Sequence, residues 1–151
     1  MKRVSVIVPV YYNAESLPLL FLELQKVETQ LQERGCAMEL TFVDDGSGDE
    51  SMIELMKIKQ QRPDTRVVKL TRNFGEVHAC KIGLNYVTGD CLMWLAADLQ
   101  DPPKLIVEMT DQWLAGSPFS MGTERCRLHL HSGRSYAVYV HFLGPPSVNS
   151  G

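Results

Sequence analysis

The chain has 151 residues, 44% of them hydrophobic and 22% charged, proportions of one soluble globular domain and not of a disordered, collagenous or low-complexity chain. Asp and Glu number 18 against 15 Lys and Arg, for a net charge of −3, which argues against the basic face that duplex nucleic acid requires. No stretch reaches about 18 uninterrupted apolar residues, so no spanning helix is expected.

The first element is a strand, Arg3 to Val10, rich in Val and Ile and ending in Pro9-Val10. Its positive start is not a leader, because the apolar run is short and enters Tyr11-Tyr12-Asn13 without a small-residue cleavage site. A helix follows. Leu17, Leu20, Phe21, Leu24, Val27 and Leu31 make one apolar stripe, Ser16 is placed to cap it, Pro18 sits in the first turn and Gly35 stops it. Met38 to Val43 is the second strand, ending in Asp44-Asp45-Gly46-Ser47, and Asp49 to Gln61 the second helix. Arg66 to Leu70 is the third strand and Gly75 to Val87 the third helix. Cys91 to Ala96, apolar throughout, is expected at the centre of the sheet. A fourth helix runs from Pro102-Pro103 to about Ala115, with Asp101 as its cap, and Phe119 to Met121 begins a fifth strand. After Gly122 the pattern decays into an exposed end. Its His129, His131 and His141 meet no metal-ligand spacing. The four cysteines form no C-x-x-C pair, which suits reduced thiols in a cytoplasmic protein.

Alternating strands and helices with buried strands predict a mostly parallel sheet covered on both faces, an α/β fold. Ligands of such sheets bind at the carboxyl edge. The unusual residues all fall there: Pro9-Val10-Tyr11-Tyr12, Asp44-Asp45, Thr71-Arg72-Asn73 and Ala97-Asp98-Leu99-Gln100. The first turn has no glycine, so it is not a G-x-G-x-x-G dinucleotide site, and no P-loop occurs. Tyr11 at a strand end suits stacking on a base. One of Asp44 and Asp45 is expected to accept from a base or ribose and the other to fix the turn. Asp98 and Gln100 lie at i and i+2, on one side of an extended segment, and offer hard oxygens to Mg²⁺ or Mn²⁺.

Five segments in order carry a resemblance: Val4 to Tyr11, Val43-Asp44-Asp45-Gly46-Ser47, Leu70 to Gly75, Gly83-Leu84, and Ala97 to Pro103. The chain resembles the inverting glycosyltransferases of family 2, and within them the branch that makes dolichyl- or undecaprenyl-phosphate sugars. The resemblance implies the GT-A fold, a three-layer α/β sandwich. It implies that Pro9, Tyr11, Val43 and Asp45 hold the base and ribose of the donor, with Val10 and Asn13 also at the donor site, Asn13 where many members place a Glu near the base. Arg72, Asn73 and Gly75 would support its diphosphate side and Ala97 would line the site. Asp98 would be the second acid of the D-x-D element, the catalytic residue, with Gln100 beside it on the metal. Where many members have Asp-Ala-Asp, this chain has Ala96-Ala97-Asp98.

The function so implied is transfer of a hexose from a UDP- or GDP-sugar to a polyprenyl phosphate, or to another lipid or polysaccharide acceptor. The alternative is a binding module that holds nucleotide sugar without turnover. Residues 1–123 would be the donor-binding domain and 124–151 an incomplete acceptor-side or tail segment. The 151-residue chain is expected to transfer little sugar by itself, and longer relatives to be membrane-associated, on the cytoplasmic face. Tyr136 to Leu143 is apolar enough to be buried in a homodimer. A signalling receiver domain does not fit, since its acidic pair follows the first strand and here Asp44-Asp45 follow the second.

Overall fold

The structure is a computed structural model that describes residues 1–116 and the backbone of two further strands, 124–129 and 135–142. In chain order it runs β1 (Lys2–Val10), α1 (Leu17–Glu33), β2 (Cys36–Asp44), α2 (Ser51–Gln61), β3 (Arg66–Lys69) and α3 (Glu76–Gly83). A 3-10 turn (Leu84–Tyr86), β4 (Cys91–Trp94), α4 (Leu105–Leu114), β5 (Glu124–His129) and β6 (Ser135–Phe142) complete it. The six strands form one sheet in the order β3-β2-β1-β4-β6-β5. The β1–β2, β1–β4 and β2–β3 pairs are parallel, while β6 runs antiparallel to both β4 and β5.

Strand alternation divides the core. Val4, Val6, Val8 and Val10 of β1 face one side, where Leu20, Leu24 and Leu31 of α1, Leu55 of α2 and Ile106 of α4 pack on them. Ile7, Val43 and Leu92 face the other, beneath Ala79 and Cys80 of α3. Gly83 ends α3 where a side chain would press on Ile7 and Val43. The third helix is shorter than its periodicity predicts, and Leu84–Tyr86 tightens into the 3-10 turn. Cys36, Cys80 and Cys91 are buried free thiols, and burial pushes Cys91 up to about 12.

At the amino edge of the sheet Glu39 gathers polar groups. It accepts from the Ser5 hydroxyl at 2.7 Å and from the Thr88 amide at 2.9 Å, and it pairs with Arg66 at 2.9 Å. Burial alone raises a carboxyl, but these hydrogen bonds and the guanidinium hold Glu39 below the ordinary range. Glu39 lies at the edge opposite the strand ends that carry the unusual residues.

Three expectations are corrected here. Ser16 does not cap α1. Its hydroxyl donates to the Ala97 carbonyl at 2.6 Å, tying the start of α1 to the segment after β4. Asp101 does not cap α4 either, because backbone bonds from Leu105 and Ile106 to Pro102 and Pro103 close that turn. The stretch after Gly122, where the pattern is expected to decay into an exposed end, instead carries β5 and β6, with β6 paired between β4 and β5. The expected strand at Phe119 to Met121 and the side chains of the three late histidines lie outside the described residues. Among the described residues no helix is long and apolar enough to cross a membrane.

Candidate active site

The turns after β1, β2, β3 and β4 meet at the carboxyl edge of the parallel strands, and side chains from one turn hold the next. The Tyr12 amide donates to the Ser47 hydroxyl at 3.1 Å, the Asn13 amide to the Ser51 hydroxyl at 2.9 Å and the Ala14 amide to Asp49 at 3.3 Å. Asp49 also accepts from the Ser51 amide at 3.0 Å. Burial pulls its carboxyl up, yet the hydrogen bonds from Ser51 and Ala14 prevail and hold it low. Tyr12 sits at φ 53 to make this crossing. Asn13 shapes its own turn: its Oδ1 accepts the Tyr11 amide at 2.8 Å and its carbonyl accepts the Leu17 amide at 3.1 Å.

The second and third turns touch through Gly46. At φ +78, a Cβ there would lie 2.5 Å from the Arg72 carbonyl carbon and 2.6 Å from the Asn73 nitrogen. Only glycine allows that approach. Asp45, 2% exposed, spans the same junction: Oδ1 accepts the Phe74 amide at 2.8 Å and Oδ2 the Gly75 amide at 3.0 Å. Asp44 is fully buried and accepts the Ser47 amide at 3.2 Å. Both acids hold turns; Asp44 Oδ2 is buried with no hydrogen-bond partner among the described residues, and Asp45 is the one of the pair that also lines the cleft at this edge.

Between these turns lies a cleft of ≈ 250 Å³. Of the residues singled out from the sequence, it is lined by Pro9, Val10, Tyr11, Asn13, Asp45, Asn73, Gly75, Ala97 and Asp98. Tyr11 stands on the rim, 48% exposed, edge-on to Tyr12 with ring centroids 4.7 Å apart. Three predicted residues lie elsewhere. The Val43 side chain is fully buried beneath α3, so it offers no surface to a ligand. Arg72 is exposed outside the lining, its guanidinium 4.5 Å from the Phe74 ring. Gln100 is also exposed outside it. Its expected alignment with Asp98 fails because Leu99 takes φ 62 and the segment turns instead of extending. The Gln100 amide then donates to Asp98 Oδ1 at 3.2 Å.

The cleft also holds Glu76 and Ala96, which the sequence reading did not select. Glu76 opens α3, where an acid reads as an ordinary partner of the helix dipole. Burial, then the charges of Asp98 and Asp101, push the Glu76 carboxyl up. Burial, then Asp98, does the same to Asp101. The charged groups of the lining are Asp45, Glu76 and Asp98, and no Lys or Arg belongs to it among the described residues. No three His, Cys, Asp or Glu side chains among the described residues gather as a closed metal site.

Residues 5–126 match the model of glycosyl transferase family 2. An uncharacterized glycosyltransferase of Synechocystis sp. is 36% identical over 125 residues, 83% of this chain and 38% of the relative. The undecaprenyl-phosphate 4-deoxy-4-formamido-L-arabinose transferase of Salmonella paratyphi B is 41% identical over 108 residues, 70% of this chain and 32% of the relative. Among solved structures, the mannosyltransferase PcManGT of Pyrobaculum calidifontis, in complex with GDP-Man and Mn²⁺, superposes with a TM-score of 0.54 at 28% identity. That match covers 70% of this chain and 30% of that one. The expected GT-A architecture is thus the one found, and the chain spans about a third of the length of the curated relatives it matches.

Proposed function

The chain belongs to glycosyl transferase family 2, and from that premise we propose that its cleft holds a UDP- or GDP-hexose for inverting transfer to a polyprenyl phosphate or related acceptor. The observation that carries this reading is the charge of the cleft. With Asp45, Glu76 and Asp98 in its wall and no Lys or Arg in the described lining, a bare diphosphate would be repelled, and a diphosphate with a divalent cation would not. The residues present fit such an ion. Asp98 is exposed at the cleft and presents hard oxygen, as Mg²⁺ and Mn²⁺ prefer. One carboxylate leaves places for phosphate and water oxygens. The ion supplies neutralisation of charge on the leaving diphosphate.

The chain's own residues do the holding. Tyr11 offers a ring to the base from the rim, Pro9 and Val10 give an apolar wall, and Asn73 and Gly75 line the diphosphate side. Asp45 keeps the Phe74–Gly75 turn in place, so it acts on the donor chiefly through that backbone. A phosphate acceptor is already an anionic nucleophile, so attack on the anomeric carbon requires no side-chain base. A relative that acts on undecaprenyl phosphate and a neighbour that holds GDP-Man with Mn²⁺ support this substrate class. A thermal-shift panel of UDP-glucose, UDP-GlcNAc, GDP-mannose and UDP, each with and without Mn²⁺, tests it. Stabilisation by at least one nucleotide only in the presence of Mn²⁺ is expected. No stabilisation by any of them would refute the reading.

A further inference from the structure

We infer that Glu76, at the start of α3, supplies the second carboxylate of the divalent-cation site that Asp98 begins. The inference rests on the donor-site reading above and adds a ligand to it. After β4 the cleft wall is Ala96, Ala97 and Asp98, so that side of the cleft brings a single acid and two methyl groups. Glu76 lines the same cleft from the other side, near enough to Asp98 for that charge to act on it.

Of the three acids in the lining, Asp45 has both oxygens engaged by backbone amides. Glu76 has no hydrogen bond or ion pair among the described residues, and Asp98 accepts only the Gln100 amide there. Two carboxylates are therefore free to face an ion. Glu76 is also well placed to wait for one. The two residues before it are pinned by Asp45, the Ala79 amide closes the first turn onto the Gly75 carbonyl at 3.0 Å, and Ala79 and Cys80 are buried against the sheet. Charge count sets affinity at oxygen-ligand sites, so a second carboxylate is the economical way to strengthen a site with one acid on its strand.

Calorimetric titration of Mn²⁺ into the full chain saturated with UDP or with GDP tests this, with circular dichroism to show that each variant is folded. Glu76→Gln should weaken Mn²⁺ binding by about tenfold or more. The double variant Glu76→Gln with Ala96→Asp, which returns a carboxylate from the strand side, should regain it. Glu76→Gln binding Mn²⁺ as tightly as the unmodified chain, while Asp98→Asn does not, would overturn the role of Glu76 and leave the donor site standing. An unmodified chain that takes up no Mn²⁺ with either nucleotide would overturn the donor-site reading, and this inference with it.

Discussion

Two groups of acids meet at the same sheet edge and behave in opposite ways. Asp44 and Asp45, after β2, are 0% and 2% exposed and accept backbone amides of Ser47, Phe74 and Gly75. Asp98, Glu76 and Asp101, around the end of β4 and the start of α3, have few partners among the described residues. Burial and one another's charge push the last two up. Buried carboxylates paired to amides are scaffold, since removing one leaves buried donors unmet. Crowded carboxylates without partners are unstable as neighbours until a cation or a proton arrives. The first group holds the turns around the cleft, and the second is the one to which we assign the cation.

The largest effect should come from breaking the scaffold group. Asp45→Ala strands the Phe74 and Gly75 amides and should cost about 3 kcal/mol of stability, a fall in Tm of about 6–12 °C. It should also weaken UDP or GDP binding about tenfold or more, as the turn loosens. Asp98→Asn should move stability by less than about 0.5 kcal/mol while removing the metal-dependent part of nucleotide binding. Equal Tm losses in the two variants would erase the distinction. Next in size, Gly46→Ala must place a Cβ against the Arg72 and Asn73 backbone at φ +78 and should cost about 2 kcal/mol, read by urea unfolding.

Two other pairs of acids, Glu76 with Asp101 and Asp49 with Glu39, should titrate in opposite senses. Glu76 and Asp101 have folded values above the ordinary carboxylate range. As pH falls toward that range, the folded state takes up their protons first, and their contribution to stability rises. Asp49 and Glu39 are held below it. Their contribution is fully present above the ordinary carboxylate value and is lost as pH falls through their folded values. Stability in the metal-free chain should therefore rise slightly as pH falls toward the ordinary carboxylate range and then fall below it. The rise should vanish in a Glu76→Gln, Asp101→Asn double variant, followed by unfolding at each pH. The smallest effect on folding belongs to Tyr11→Ala. At 48% exposure its loss should leave Tm unchanged but weaken nucleotide binding by about 1–3 kcal/mol if its ring stacks on the base.

Much of this division was hidden in the letters. The four parallel strands and their helices were legible because apolar periodicity and the Gly and Pro stops agree with the packing. The stripe from Leu17 to Leu31 is buried as drawn. The edge that carries the cleft followed from topology alone. Side-chain partners did not follow. Asp44 and Asp45 read alike, and their partners come from turns distant in sequence. Leu99 at φ 62 undoes the simple i, i+2 alignment of Asp98 with Gln100, and no sequence rule announces a left-handed leucine. Asp101 beside Pro102-Pro103 looks like a cap, yet backbone bonds close that turn. Glu76 was missed because an acid in a first helical turn already has an ordinary explanation. The β6 strand was missed although residues 136–142 are dense in aromatic and β-branched types, because the histidines and arginines before it read as an exposed end.

The central claim is that the cleft takes a nucleoside diphosphate together with a divalent cation seated at Asp98. Calorimetric titration of Mn²⁺ into the chain, with and without saturating UDP or GDP, tests it most directly. The account predicts weak Mn²⁺ binding alone, clearly tighter binding with one of the nucleotides, and loss of that gain in Asp98→Asn at unchanged stability. Equal Mn²⁺ affinity with and without nucleotide, or a gain that survives Asp98→Asn, would contradict it.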